Sequence, residues 1–355
     1  MPSAAPIPFD PAVAGVLVVD DSVVARAVLA RLVDDSARFR TVGAVGSVAA
    51  ALDFLSRTRV DFILLDVVLP RVDGLTALPE LIAAAGDAKI IVVAGSTADG
   101  AKNSVRALAL GAADTLVKPD VAAMSGRFGA QLIERLERLS ARTPDGASRC
   151  GKGRAAAVTL PAIGDYDVVA IGASTGGIHA LGLLLRALPA GFRSPILVTQ
   201  HLPASFMPYF AAQLAVLAGR PCEVAAHRLR IRPGRVIVAP GDAHLQCVSI
   251  GDHEAAIRLT TAPAASGCLP SVDPMFASVA EVYGARALAV VLSGMGRDGA
   301  DGARRVHEAG GTVIVQDQAS SVVWGMPAAI VSQGFEAATL PPEALGRLIA
   351  TGRRP

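Results

Sequence analysis

Val168-Val-Ala-Ile-Gly-Ala-Ser-Thr-Gly-Gly177 places a serine hydroxyl in a turn between an apolar run and a helical pattern. A hydrophobic run that ends in glycines reads as a buried strand feeding a tight turn. Ser174 is therefore expected at the carboxyl edge of a sheet, beside the free backbone N–H groups of a helix start. A nucleophile and an oxyanion site can be built together there. A dinucleotide loop is the competing reading, because Gly172, Gly176 and Gly177 follow the same strand. The spacing does not fit G-x-G-x-x-G: Ser174 stands where the second glycine lets a pyrophosphate approach the backbone. The next apolar run, 196–199, ends in Gln200-His201 and not in the acid that would bind a ribose. The segment points instead to a serine with a histidine at the neighbouring strand end.

Outward from this segment, apolar runs at 168–171, 196–199, 235–239, 287–292 and 312–315 are mostly followed by helix-like stretches. That alternation implies βαβ units and a parallel sheet. Consecutive strands of such units are commonly neighbours, which positions His201 to take a proton from Ser174. The run 287–292 leads into Ser-Gly-Met-Gly-Arg-Asp-Gly299, where Asp298 can hold the imidazole and stabilise its charged form. The order Ser…His…Asp differs from that of α/β-hydrolases and from both protease orders. Geometry and not order defines a triad, so this is no objection. Of the other histidines, His179 and His307 lie on helices and read as surface or packing residues, and His227 and His253 sit in polar turns. His244, in Ala-Pro-Gly-Asp-Ala-His, is a rival base. The histidines lack metal-ligand spacing, which argues against zinc hydrolysis. Cys268 reads as a small packed residue, since no motif supports it as a nucleophile.

A second α/β series occupies the amino-terminal side. Runs at 16–19, 62–65 and 90–93 alternate with helix-like stretches at 23–34, 48–57 and 76–85, and an amphipathic stretch at 128–142 closes the unit. Asp20 and Asp21 follow one strand and Asp66 another, while Lys118 follows the short run 114–117. In an open parallel sheet the carboxyl ends of strands face one crevice. Carboxylates gathered there repel unless a hard cation sits among them, and magnesium with its preference for oxygen ligands suits the site. A lysine close by would pair with an added phosphoryl group.

Between the two series the pattern collapses into Thr-Pro-Asp-Gly-Ala-Ser-Arg-Cys-Gly-Lys-Gly-Arg, a linker composition. The chain is expected to divide into domains at 13–140 and 165–350, joined by a flexible linker at 141–164. Lys and Arg number 33 against 31 Asp and Glu, so no strong field draws the chain to nucleic acid or anionic lipid. The cysteines Cys150, Cys222, Cys247 and Cys268 lack paired spacing, which suits a reducing compartment. The start, Met-Pro-Ser-Ala-Ala-Pro-Ile-Pro, lacks signal-peptide character, and no run has the length of a membrane span. A cytoplasmic protein without membrane insertion is expected.

Two sets of motifs carry family resemblances. Val-Val-Asp-Asp-Ser22, Leu-Leu-Asp-Val-Val-Leu-Pro-Arg-Val-Asp-Gly74 and Lys118-Pro119 resemble the receiver domain of bacterial response regulators. That resemblance implies a (βα)5 fold with Asp66 as phosphoacceptor and Lys118 as phosphoryl contact. It also implies Mg2+ held by Asp21, Asp66 and the carbonyl of Val68, with Asp20 acting through water. Two departures stand out: Ala94 occupies the place of the usual hydroxyl residue, with Ser96 and Thr97 just beyond, and Thr115 occupies that of the usual aromatic. Ile-Gly-Ala-Ser-Thr-Gly-Gly177, Thr-Gln-His-Leu-Pro203, Ala-Pro-Gly-Asp242, Pro-Ser-Val-Asp273, Ser-Gly-Met-Gly-Arg-Asp-Gly299 and Trp-Gly-Met-Pro327 resemble the catalytic domain of the chemotaxis protein-glutamate methylesterases. This second resemblance implies a doubly wound, Rossmann-like parallel sheet and a Ser174–His201–Asp298 triad. Its implied substrates are glutamyl methyl esters, and often glutamines, on the cytoplasmic helices of chemoreceptors. The ester chemistry needs no cofactor. Thr175 and Met295 lie in the matching motifs and would line the pocket, with oxyanion donors among the nearby backbone N–H groups. A histidine kinase of the chemosensory pathway would supply the phosphoryl group that regulates turnover. The chain departs from the family before Pro270, where Ala-Ala-Ser-Gly-Cys-Leu replaces the usual basic residues. A non-catalytic signalling adaptor built on the receiver is the alternative reading; a DNA-binding output lacks a basic recognition helix.

Overall fold

The computed structural model describes residues 13–95, 98–119, 126–140, 164–251 and 254–352. The chain divides into two units, Met1–Ser140 and Ala141–Pro355. Most of the expected linker at 141–164 lies outside the described residues, as do Ser96, Thr97, Cys150 and His253.

In the first unit, five parallel strands β1 (Ala14–Val19), β2 (Phe39–Val45), β3 (Phe62–Asp66), β4 (Lys89–Gly95) and β5 (Asp114–Lys118) form a sheet in the order β2-β1-β3-β4-β5. Helices α1 (Val23–Asp34), α2 (Val48–Leu55), α3 (Gly74–Ala85), α4 (Ala98–Leu110) and α5 (Arg127–Ser140) follow the strands in turn. Strands covered on both faces read as continuous apolar runs, and β1 and β3 are buried along almost their whole length. The edge strand β2 is largely half-buried, which is why it shows no such run. Ser22 and Ser47 start α1 and α2 by accepting the Ala25 and Ala50 N–H groups, and Asp73 starts α3 by accepting that of Leu75. On α5, Leu132, Leu136 and Leu139, three of the four apolar residues at helical spacing, are buried together with Phe128, while Ile133 is half-buried.

The second unit holds a seven-stranded parallel sheet. Its strands are β6 (Val168–Ala173), β7 (Ile196–Gln200), β8 (Cys222–Val224), β9 (Val236–Val238), β12 (Ala287–Val291), β13 (Thr312–Gln316) and β14 (Ala338–Leu340), in the order β14-β13-β12-β6-β7-β9-β8. The chain winds from the central β6 to one edge and then returns to wind to the other, a doubly wound α/β fold. Helices α6 (Gly177–Arg186), α7 (Met207–Ala218), α8 (Val272–Tyr283), α9 (Ala300–Glu308), α10 (Gly325–Val331) and α11 (Pro342–Thr351) accompany it. One element departs from the parallel pattern: β10 (His244–Gly251) and β11 (Glu254–Thr260) form an antiparallel hairpin. The hairpin is fastened to α8, where Ser278 Oγ accepts the Cys247 N–H at 2.9 Å. Leu245, Cys247 and Ile257 from the hairpin join Met275, Phe276 and Val279 of α8 in one buried cluster. His244 begins β10. Among the described residues no helix is long and apolar enough to cross a membrane.

Phe276 is fully buried at the centre of that cluster. Phe276→Ala is expected to destabilise the C-terminal unit by about 3–5 kcal/mol through lost burial and a residual cavity. Urea unfolding followed by circular dichroism measures this, and an unchanged midpoint would contradict the packing described.

Candidate active site

Strand order decides which side chains meet. β6 lies between β7 and β12, so loops leaving the three carboxyl ends converge at the point where the winding reverses. Such a switch point is where open α/β sheets bind ligands. Ser174 follows β6, His201 follows β7, and Asp298 lies in the loop after β12. His201 Nδ1 is 3.1 Å from Ser174 Oγ, and His201 Nε2 is 2.7 Å from Asp298 Oδ2. The neutral tautomer suited to these partners carries its hydrogen on Nε2, donates it to Asp298 and turns the Nδ1 lone pair toward the serine. This exchanges the two ring nitrogens relative to the serine-protease arrangement.

The serine turn is tied on several sides. The Ser174 N–H donates to Ser293 O at 3.0 Å, and its carbonyl accepts Gly177 N–H and Gln200 Nε2, each at 2.9 Å. Gly176 takes the left-handed conformation at φ +77° that a side chain would strain. A Cβ on Gly294 would stand 2.9 Å from Ser174 Cβ, so this glycine permits the close approach of the β12 loop. Thr175 is half-buried beside the serine, with its carbonyl accepting Ser293 Oγ at 2.7 Å. Met295 is exposed in the β12 loop.

Asp298 is buried, and a buried carboxylate is costly unless its oxygens are satisfied. Ser271 Oγ donates to Oδ1 at 2.6 Å, and the Val272 N–H donates to Oδ2 at 2.8 Å. Ser271 is the residue before α8, where a serine usually caps its own helix. Here its hydroxyl goes to Asp298, and Asp298 receives the first helix N–H in its place, at the positive end of the helix dipole. Burial pushes the Asp298 pKa up, but the bonds from His201, Ser271 and Val272 outweigh it and hold the carboxyl at about 2. For His201, burial opposes the charged form; hydrogen bonds and charge from Asp298 and Cys268 overcome it and raise the pKa from 6.5 to about 9.

His244, the rival base, has no free nitrogen. Its Nδ1 accepts the Ser271 N–H at 2.9 Å and its Nε2 faces Ala262 O at 2.9 Å, so it steadies the Ser271 backbone. His307 stacks on Phe335 at 5.3 Å between centroids, a packing role. Cys268 is half-buried and not packed away, and its thiol lies within 4.8 Å of the His201 ring nitrogen and the Asp298 carboxylate. Sequence reasoning did not single out Ser271, and it weighed Cys268 only as a packed residue or a nucleophile. The serine–acid pattern in Pro-Ser-Val-Asp273 is a helix-start signal that marks Ser271; no local signal marks Cys268.

In the N-terminal unit, Asp20, Asp21 and Asp66 bring carboxylate oxygens within 4.8 Å of one another. Lys118 Nζ bridges Asp20 Oδ2 at 2.5 Å and Asp66 Oδ2 at 2.6 Å. Burial raises the Asp66 pKa against the pull of this lysine. Burial opposes the Lys118 charge, but the two carboxylates more than compensate and raise its pKa. The all-oxygen donor set fits a hard cation such as Mg2+. Val68 is exposed, with its N–H directed to Asp66 Oδ1 at 3.3 Å. Ala94 is buried in the core opposite Val117, so β4 ends without a hydroxyl at that position; Thr115 is half-buried.

Residues 169–349 match the family model described as CheB methylesterase, and residues 16–128 match that of the response regulator receiver domain. A protein-glutamate methylesterase/protein-glutamine glutaminase of Azospirillum brasilense is 39% identical, with 94% of this chain and 91% of that protein covered. A second, of Caulobacter vibrioides, is 38% identical over 96% of this chain and 99% of its own length. The solved catalytic domain of Thermotoga maritima CheB methylesterase superposes with a TM-score of 0.50 at 34% identity, covering 52% of this chain and 98% of that domain. Matches of this extent to both units, with the strand-end serine, histidine and aspartate already assembled, establish that the chain belongs to the CheB methylesterase family, enzymes with a response-regulator receiver domain before the catalytic domain.

Proposed function

We propose that the enzyme hydrolyses glutamyl methyl esters, and deamidates glutamines, on the cytoplasmic helices of chemoreceptors, using Ser174, His201 and Asp298. The observation that carries this reading is the continuous line from Ser174 Oγ through the two ring nitrogens of His201 to Asp298. Ser174 Oγ attacks the ester carbonyl carbon while His201 Nδ1 takes its proton. Asp298 holds the resulting imidazolium through Nε2–H. The tetrahedral intermediate collapses, His201 returns the proton to the departing oxygen, and methanol leaves an acyl-enzyme. Water, deprotonated by the same nitrogen, then releases the glutamate and restores the serine. With a glutamine the leaving group is ammonia. Oxyanion donors are sought among the backbone N–H groups from Thr175 to the start of α6, because the first N–H groups of a helix lack intrahelical partners. Thr175 and Met295 flank this pocket.

Asp66 is the proposed phosphoacceptor, supplied by a histidine kinase of the chemosensory pathway. Asp20, Asp21 and Asp66, with the Val68 carbonyl, would hold Mg2+, which when bound neutralises charge between carboxylate and phosphoryl oxygens. Lys118, which pairs with Asp66 in the unmodified protein, would move to the phosphoryl group. Phosphorylation then relieves inhibition of the catalytic unit, through a relay that lacks the hydroxyl and aromatic side chains replaced by Ala94 and Thr115. Every step is compatible with the cytoplasm.

Methanol release from methylated receptor tests the triad: Ser174→Ala is expected to lose on the order of 10^4-fold or more in turnover. Full activity in that variant would sink the reading. The pKa of about 9 sets the pH dependence, because only neutral His201 acts as base. In metal-free buffer kcat/KM of the unphosphorylated protein should rise through the neutral range, reach about half its plateau near pH 9 and level off above it; a flat profile from pH 6 to 9 would contradict it. Acetyl phosphate with Mg2+ is expected to accelerate the wild type and leave Asp66→Asn unchanged. Equal responses of the two proteins would remove the regulatory role of Asp66.

A further inference from the structure

We propose that Cys268, His201 and Asp298 form an inhibitory binding site for a thiophilic divalent cation, with zinc as the fitting ion. A thiol sulfur, an imidazole nitrogen and a carboxylate oxygen from these residues lie within 4.8 Å of one another. Sulfur and nitrogen donors select borderline-soft ions and disfavour magnesium or calcium. The chain therefore carries two donor sets of opposite character, since Asp20, Asp21 and Asp66 offer only oxygen.

The positions suit a tetrahedral ion. Zinc bonds of about 2.0–2.3 Å set ligand atoms roughly 3.3–3.8 Å apart, so the His201–Asp298 pair, now at 2.7 Å, must open slightly while the thiol, within 4.8 Å of both, draws in. Cys268 can supply that movement. It is half-buried, its thiol makes a long 3.8 Å contact with Ser266 O, and it follows Gly267 at φ +69°. Asp298 is the fixed member, with its carboxylate held by Ser271 and Val272, the kind of outer support that ligands of metal sites require. A water completes the four ligands. Binding displaces the Cys268 thiol proton and the proton between His201 and Asp298; both leave to solvent and no group changes oxidation state. Zinc thus occupies the general base and suspends turnover without touching the receiver. The inhibitory half rests on His201 acting as that base; the binding half does not.

Cobalt(II), which absorbs in the near ultraviolet when bound by thiolate, reports the site directly. Chelator-stripped, full-length Ser174→Ala protein titrated with cobalt is expected to develop this band, and zinc is expected to bleach it. Adding Cys268→Ser should abolish the band, while adding Cys150→Ser should leave it. Cys222 and Cys247 do not compete, because burial pushes both thiols up to about 12. In the methanol assay, the zinc concentration that halves activity should rise by at least about tenfold in Cys268→Ser, each protein compared with its own zinc-free rate. A cobalt band that survives Cys268→Ser, or that disappears with Cys150→Ser, overturns the site. Zinc inhibition that is equal in wild type and Cys268→Ser overturns the inhibitory role. An absence of methanol release from zinc-free wild type would instead fault the esterase reading, and the cobalt band would still decide the site.

Discussion

The catalytic unit is organised around a negative charge that water does not reach. Asp298 is buried, and its carboxylate is tolerable only because Ser271, the Val272 N–H and His201 all donate to it. Those donors come from the start of α8 and the end of β7, so satisfying one carboxylate fixes a helix end and two strand ends together. The reverse contact makes the bond mutual. Asp273, in the first turn of α8, accepts the Gly302 N–H of α9 at 2.7 Å. Each helix start is thus occupied by an acid from the segment of the other, which favours negative charge at both positive ends. The proximity of Asp298 helps burial to lift Asp273 to about 6, so the two acids do not share their proton affinity equally.

The same fold principle produces opposite electrostatics in the two units. Both place carboxylates at the carboxyl ends of parallel strands, where loops converge. Asp298 has Asp273 nearby, but the bonds it accepts from His201, Ser271 and Val272 outweigh burial and hold it at about 2. Asp66 faces a second carboxylate and is raised by burial, with only Lys118 to balance both. A carboxylate that stays ionised is suited to orienting a base. One that is crowded with like charge gains from accepting a cation or from trading its partner lysine to a phosphoryl group. Environment, and not residue type, separates these roles.

Strand-end residues were legible in the sequence because a parallel sheet imposes its own grammar. An apolar run followed by a polar or glycine turn gave Ser174, His201, Asp66 and Lys118 their positions, and the paired strand order brings the first two together. What was not legible depends on distant segments. The hairpin of β10 and β11 has half-exposed strands and lies outside the parallel alternation, so His244 stood as a rival base. Its buried, doubly engaged state follows from contacts with Ser271 and Ala262. Cys268 likewise gains its meaning from His201, which lies far from it in the chain. The edge strand β2 escaped because exposure on one side erased the apolar run on which detection relied.

The placement of Asp298 on the returning half of the sheet also affects the protein during its own synthesis. Asp298 is made 97 residues after His201, which at about 5–20 residues per second is a delay of roughly 5–20 s on the ribosome. Through that interval the nascent chain holds the serine and the imidazole but nothing to orient them, because β12 has yet to slot in beside β6. The N-terminal unit, by contrast, is complete before the first residue of β6 is added. Domains fold largely in the order they emerge, so the receiver unit is in place before the catalytic unit is complete.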